Sequence, residues 1–81
     1  MIMKNIKLIE LLVMTTKKRK EMPAVIEYHD EIYEWNENIR DYQGKDKFLF
    51  MDLFKTNDYN LNDEITISYK YPYSFKKINM L

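Results

Sequence analysis

Ala24-Val25-Ile26-Glu27-Tyr28-His29-Asp30-Glu31-Ile32-Tyr33-Glu34-Trp35 is the stretch that decides the fold of this chain. It contains two runs rich in β-branched and aromatic residues, and only His29 and Asp30 separate them. Two such runs around a spacer of this length are typical of a β-hairpin with a tight turn. We therefore predict an antiparallel hairpin in which Tyr28 pairs with Glu31, and Ile26 with Tyr33.

The register of this hairpin separates an apolar face from a charged face. Because side chains alternate along a strand, one face collects the larger apolar residues: Ile26, Tyr28, Tyr33 and Trp35. Glu27 and Glu34 fall on the other face, together with Val25 and Ile32. We expect the apolar face to pack on a helix and the carboxylates to face outward.

The residues before the hairpin have the apolar spacing of an amphipathic helix. Branched aliphatic residues recur at intervals of four, three and four positions: Ile2, Ile6, Ile9 and Val13. Pro23 ends any helix at or before Met22, so the basic residues 17–20 fall in the last turns. We therefore predict that a helix precedes the hairpin and packs on its apolar face.

The residues after the hairpin predict a turn and a second helix. Residues 41–44 end in the only glycine of the chain and are typical of a turn. Residues 48–54 are ambiguous between a buried strand and a short helix. We favour the helix because Phe50, Met51 and Phe54 would share one helical face.

A loop rich in Asn and Asp at residues 57–63 precedes a predicted strand. The strand is indicated by apolar side chains at alternate positions before Pro72: Ile65, Ile67, Tyr69 and Tyr71. The sequence therefore predicts a single α+β domain, residues 1–81, with a C-terminal tail at residues 72–81 that we treat as a candidate flexible segment. The predicted order is α-β-β-α-β, with the N-terminal amphipathic helix packed on a small antiparallel sheet.

The composition excludes several classes of protein. The chain has 81 residues and no cysteine, which excludes disulfide scaffolds and thiolate zinc sites. The longest uninterrupted apolar run, residues 11–14, is much too short to span a bilayer. We expect a cytoplasmic protein that does not enter a membrane.

The sequence contains no recognisable catalytic arrangement. His29 is the only histidine, and no spacing identifies further ligands or a reacting group near it. Asp58, Asn60 and Asn62 match the start of a calcium loop, but Asp63 occupies the position of the required glycine. We expect no enzyme activity, no metal ion and no cofactor.

Acidic side chains gather around the hairpin. Residues 21–46 hold eight acidic and two basic side chains, whereas residues 1–20 hold six basic side chains and one acidic. Carboxylates interleaved with aromatic rings suit a surface that docks onto another protein, such as one with a basic nucleic-acid-binding groove. The candidate partner-binding residues are Glu27, Asp30, Glu31, Glu34, Glu37, Asp41 and Tyr42. The same alternation also suits the solvent side of a one-sided sheet.

Two alternative functions remain open. The basic residues 17–20 could contact phosphate in a nucleic-acid-binding accessory protein, although the same cations also suit a solvated helix end. The final strand could be the edge of the sheet, and an unpaired edge would support a homodimer or a virion component.

Several motifs of this chain resemble those of small uncharacterised proteins from phages and prophages of low-GC Gram-positive bacteria. They cover most of residues 3–70 and are Met22-Pro23, Ile26-Glu27-Tyr28, Ile32-Tyr33-Glu34-Trp35, Phe48-Leu49-Phe50, Leu53-Phe54 and Leu61-Asn62-Asp63-Glu64-Ile65-Thr66-Ile67. This chain departs from that pattern at His29 and Asp30, where Asn-Gly is usual. By analogy, the resemblance implies a non-enzymatic phage protein that binds, and inhibits, a host factor such as an anti-phage defence component, in the manner of an anti-CRISPR protein.

Overall fold

The structure, a computed structural model, describes residues 3–17 and 21–70. It contains seven elements in chain order: β1 (Lys4–Lys7), α1 (Leu8–Thr15), β2 (Val25–Tyr28), β3 (Glu31–Asn36), β4 (Asp41–Gln43), α2 (Leu49–Thr56) and β5 (Glu64–Ser68). The five strands form one antiparallel sheet in the order β1-β5-β2-β3-β4. The α+β class is confirmed, but the predicted order α-β-β-α-β omits β1 and β4. The predicted tail lies outside the described residues.

The central hairpin has the predicted register. In β2 and β3, Tyr28 lies opposite Glu31 and Ile26 lies opposite Tyr33. His29 and Asp30 both adopt positive φ, at 50° and 64°. Positive φ at both central residues gives a turn whose twist matches that of the flanking strands. The hairpin prediction is therefore confirmed.

The N-terminal helix is shorter than predicted because a strand comes first. Lys4–Lys7 pairs with β5, and Ile6 is buried opposite Ile65. The helix α1 begins at Leu8, whose N–H donates to the Asp63 carbonyl at 2.8 Å. Leu8 and Leu11 form the buried side of α1, whereas two members of the predicted stripe are exposed: Ile9 and Val13. The prediction of a helix over the first residues is wrong for β1.

The predicted turn at residues 41–44 is also wrong, because residues 41–43 form the strand β4. The chain instead reverses at residues 37–40. The Asn36 Oδ1 accepts hydrogen bonds from the Asn38 and Ile39 N–H groups, at 3.0 and 3.1 Å. Arg40 closes the turn at a φ of 59°. An Asn side chain that accepts hydrogen bonds from backbone N–H groups two and three residues later stabilises a turn without the need for glycine.

The second helix is confirmed, but its buried side differs from the prediction. Leu49 and Phe50 of α2 are buried, whereas Met51 and Phe54 are 54% and 56% exposed. The final strand β5 lies between β1 and β2 in the sheet, so it is not an edge. The edges are β1 and β4, and lysines on a short edge strand such as β1 discourage pairing with a second copy.

One apolar cluster joins both helices to the same face of the sheet. Its members are Ile6, Leu8, Leu11, Met22, Ile26, Tyr28, Tyr33, Tyr42, Leu49, Phe50, Ile65 and Ile67. The strand members face one way, because Ile26 pairs with both Tyr33 and Ile67, and Ile65 pairs with Ile6. The opposite face of the sheet therefore carries the side chains at the alternate strand positions, among them Val25, Glu27, Ile32 and Glu34. Among the described residues, no helix is long and apolar enough to cross a membrane.

Gly44 lies against the ring of Tyr33, and this contact gives a testable prediction. A Cβ at position 44 would lie 2.9 Å from Cε2 of Tyr33, whose side chain is buried. We expect Gly44→Ala to lower the free energy of unfolding by about 1–3 kcal/mol, because the ring cannot shift without disturbing the core. Urea titration measures the change, with Lys45→Ala at an exposed position as the control. Equal stability of the two variants would contradict the contact.

Candidate functional site

The face of the sheet opposite the apolar cluster carries two of the predicted carboxylates. Glu27 lies between Thr66 of β5 and Ile32 of β3 in the sheet register. Glu34 lies opposite Val25 of β2 on one side and Gln43 of β4 on the other. We call this surface the outer sheet face and define it by Glu27, Ile32, Glu34, Gln43 and Thr66.

Glu27 and Glu34 are half-buried, and no described residue forms an ion pair with either carboxylate. Neither carboxylate makes an ion pair or a hydrogen bond within residues 3–17 and 21–70. Partial burial reduces the hydration of a carboxylate, and no fixed donor replaces that hydration here. These two groups are therefore available to a cation from outside the described part of the chain.

Two other predicted carboxylates are already paired with cations. The Glu31 carboxylate lies 2.7 Å from the Lys47 ammonium and accepts a hydrogen bond from the Tyr33 hydroxyl at 3.3 Å. The hydrogen bond from Lys47 holds the pKa of Glu31 below its ordinary value. Glu37 pairs with Arg40 at 2.6 Å. Asp30, in the hairpin turn, is exposed.

Asp41 is a buried capping residue and does not lie on the surface. Its side chain is part of the interior, with the residue 5% exposed. The Oδ1 atom accepts hydrogen bonds from the N–H groups of Tyr42 and Phe50, at 2.6 and 2.8 Å, and Oδ2 accepts one from Met51 at 3.0 Å. The last two are first-turn amides of α2, which have no acceptor inside their own helix. The assignment of Asp41 to a partner-binding surface is corrected accordingly.

Tyr42 is also interior. The residue is 0% exposed, and its hydroxyl donates to the Pro23 carbonyl at 2.8 Å. Its ring lies 4.9 Å from that of Trp35 and 5.8 Å from that of Phe50. Burial raises the pKa of the Tyr42 phenol above its ordinary value. A partner cannot contact this side chain in the folded domain. The assignment of Tyr42 to a partner-binding surface is therefore wrong, as it is for Asp41.

Asp63 connects the hairpin turn to the loop at residues 57–63. Its Oδ2 atom accepts a hydrogen bond from the Tyr28 hydroxyl at 2.8 Å and lies 3.5 Å from Nε2 of His29. The ring of Tyr28 stacks on that of His29 at 4.0 Å, and burial together with the bond to Asp63 raises the pKa of Tyr28. This role explains a residue that the sequence presented only as part of an imperfect calcium loop.

The calcium-like residues form a turn through their own hydrogen bonds. Asn60 Oδ1 accepts from the Asn62 N–H at 2.9 Å, and the Asn60 carbonyl accepts from the Asp63 N–H at 2.9 Å. Within the described part of the chain, no group of three or more His, Cys, Asp or Glu side chains is placed to hold a metal ion. The segment therefore has the hydrogen bonding of an Asx-rich turn.

The described part of the chain is acidic as a whole. It contains all 13 acidic residues but only eight of the 13 basic ones, which gives a net charge of −5. The other basic residues lie at positions 18–20 and 76–77. A domain with this charge produces a negative field. On the face of Glu27 and Glu34, the described strands carry one lysine, Lys7 of β1, which lies opposite Glu64 and is separated from Glu27 by β5.

Comparisons with protein-family models, with curated proteins and with solved structures gave no match. The geometry of the described residues is therefore the basis of the candidate function. The resemblance to phage proteins continues to rest on the sequence motifs alone.

Proposed function

We propose that this chain is a non-enzymatic protein that binds a basic surface of another protein through the outer sheet face. The observation that carries the proposal is the pair of half-buried carboxylates, Glu27 and Glu34, for which the described residues supply no cation. Asp30 and Glu37 add exposed carboxylates at the two ends of β3, whereas Glu31 lies on the helix side of the sheet with Tyr28 and Tyr33. The phage resemblance makes the partner a host factor, such as a component of anti-phage defence, that the binding would inhibit.

The electrostatics of the outer sheet face favour a partner rich in Lys or Arg. A cation brought to Glu27 or Glu34 would replace hydration that the carboxylate has already lost in part, so the net gain is larger than at an exposed site. Ile32 lies between the two acidic strand positions on the same face and adds apolar contact area. Complementary charge also speeds association, and this effect weakens as the salt concentration rises.

Charge reversal on the outer sheet face tests the proposal. The partner is first captured from a host lysate with the wild-type protein, and its affinity is then measured by calorimetry. We expect the double variant Glu27→Lys with Glu34→Lys to weaken binding by about 100-fold. The variant loses two pairs between a carboxylate and a cation of the partner, and the new lysines also repel those cations. Glu31 is left unchanged, since a lysine there would face Lys47.

A second double variant controls for the change in net charge. Glu21→Lys with Asp58→Lys alters two exposed carboxylates by the same total charge, away from the outer sheet face. We expect it to retain affinity within about threefold, because exposed charges at a distance are screened by salt. If both double variants lose affinity equally, net charge and not the outer sheet face controls binding, and the proposal fails.

The two alternative functions have less support from the described residues. Lys17 is the one member of the basic cluster at residues 17–20 that is described, so nucleic-acid binding stays a prediction that titration of labelled DNA and RNA can test. The homodimer hypothesis depended on β5 as an edge strand, and β5 is internal.

A further inference from the structure

A cleft of about 230 Å³ lies between the hairpin and α2. Its lining includes Tyr28, His29 and Tyr33 from the hairpin, Asp52 and Leu53 from α2, and Lys47. Pockets that hold drug-sized ligands or cofactors measure about 300–1,000 Å³. This cleft is smaller, so its size suits a single side chain from a partner.

The charges in the cleft favour a cation. Lys47 is neutralised by Glu31 at 2.7 Å, and both side chains line the cleft. Asp52 is half-buried, and its carboxylate makes no ion pair or hydrogen bond among the described residues. Among the aspartate, glutamate and lysine side chains of the lining, one negative charge is uncompensated, and it belongs to Asp52. An anionic side chain would be repelled there.

The apolar and aromatic lining favours arginine over lysine. Leu49 and Leu53 contribute apolar surface, and the imidazole of His29, which stacks on Tyr28 with one face, belongs to a side chain that is 69% exposed. A guanidinium is planar and weakly hydrated, so it stacks on aromatic rings and binds a carboxylate through two parallel N–H donors. A lysine ammonium is more strongly hydrated and lacks this planar geometry.

We infer that the cleft between the hairpin and α2 receives an arginine side chain of the partner protein, with its guanidinium on the Asp52 carboxylate. The inference rests on the proposed function, because a basic partner supplies the arginine. It adds a second contact region, on the helix side of the sheet, with a defined chemical preference.

The test uses N-acetyl-L-arginine methylamide as the probe and the full chain labelled with ¹⁵N. We expect saturable shifts of the backbone amide signals of Asp52 and Leu53, with a dissociation constant on the order of millimolar for so small a ligand. The citrulline analogue has the same shape without the charge. It should produce no saturable shift at the same concentrations, and the lysine analogue should bind more weakly than arginine.

Two variants assign the binding to Asp52. Asp52→Asn keeps the shape of the side chain and should weaken arginine binding by at least about fivefold, since a charge-assisted pair becomes a neutral one. Asp58→Asn, at an exposed position outside the cleft, should bind arginine as the wild type does. Circular dichroism checks that both variants are folded.

Several results would overturn the inference: citrulline binding equal to arginine binding, no saturable shift, or unchanged affinity in a folded Asp52→Asn variant. The comparison of arginine with citrulline uses only the wild-type chain, so it stays decisive if a variant fails to fold. The test needs no partner protein, and its outcome is therefore independent of the charge reversal at Glu27 and Glu34.

Discussion

Replacement of Asp41 by alanine is expected to lower the free energy of unfolding by about 3 kcal/mol. One carboxylate accepts hydrogen bonds from the N–H groups of Tyr42, Phe50 and Met51. Alanine would leave these donors without their acceptor, two of them in buried surroundings, and would remove the cap of α2. Urea unfolding followed by the fluorescence of Trp35, the only tryptophan, measures the loss.

Two further variants distinguish the loss of stability caused by removing the cap of α2 from the effect of removing a negative charge. Asp41→Asn keeps one carbonyl oxygen that can serve the Tyr42 and Phe50 amides, so its loss should be about 1 kcal/mol. Asp58→Ala removes an exposed carboxylate and should change stability by less than about 0.5 kcal/mol. An Asp41→Ala variant as stable as Asp58→Ala would show that the capping bonds contribute nothing.

The cap also affects the candidate binding regions. Asp41 belongs to β4 at the edge of the sheet, and its carboxylate fixes the first turn of α2 against that edge. Asp52 lies in the same short helix, on the cleft. Loss of the cap should therefore disturb the cleft before it disturbs the outer sheet face, which is built from strand residues alone.

The hairpin could be predicted because all of its determinants are local. Three features within twelve residues indicate it. They are the spacer of His29 and Asp30, the alternation of side chains on either side, and strands that contain no glycine or proline. The same alternation correctly placed Glu27 and Glu34 on the face opposite Ile26. The strand β5 was likewise indicated by its own period of two, but it ends at Ser68, Tyr69 is exposed, and Tyr71 lies outside the described residues.

The strand β1 could not be predicted in this way. Only Ile6 of its four residues is buried, so the strand has no visible alternation. Its partner β5 lies about 60 positions later in the chain, where Ile6 meets Ile65. The apolar residues from Ile2 to Val13 also fit a helical spacing, and the prediction of a helix followed this longer pattern. Pairing between distant segments is a tertiary effect that a local period does not reveal.

The candidate site was predicted only in its exposed part. In sequence, Asp41 looks like any other surface carboxylate of an acidic stretch, and the α2 amides that it caps follow nine and ten residues later. Tyr42 likewise stands between two polar residues, Asp41 and Gln43, as an exposed aromatic residue would. Both residues follow the turn at residues 37–40, which contains no glycine or proline that would indicate a turn. Because turns are usually exposed, the predicted turn at residues 41–44 assigned the buried residues Asp41 and Tyr42 of β4 to the surface.

Tyr42→Ala is expected to lower the free energy of unfolding by about 3–5 kcal/mol, because it removes a large, fully buried ring from the core. Tyr42→Phe should cost about 1 kcal/mol, since it keeps the ring contacts with Trp35 and Phe50 and removes only the hydrogen bond to Pro23. Urea titration of both variants, compared with the wild type, checks these values. A Phe variant as unstable as the Ala variant would show that the hydroxyl, and not the ring, contributes most.

The same Phe variant separates an interior role of Tyr42 from an interface role. Because the residue is 0% exposed, Tyr42→Phe should bind the captured partner with unchanged affinity although its unfolding midpoint is lower. Glu27→Lys with Glu34→Lys should show the opposite pattern, with weaker binding at nearly unchanged stability, because both carboxylates lack partners in the described chain. If Tyr42→Phe weakened binding without lowering the midpoint, Tyr42 would have to reach the partner, and the position of β4 described above would be wrong for the bound state.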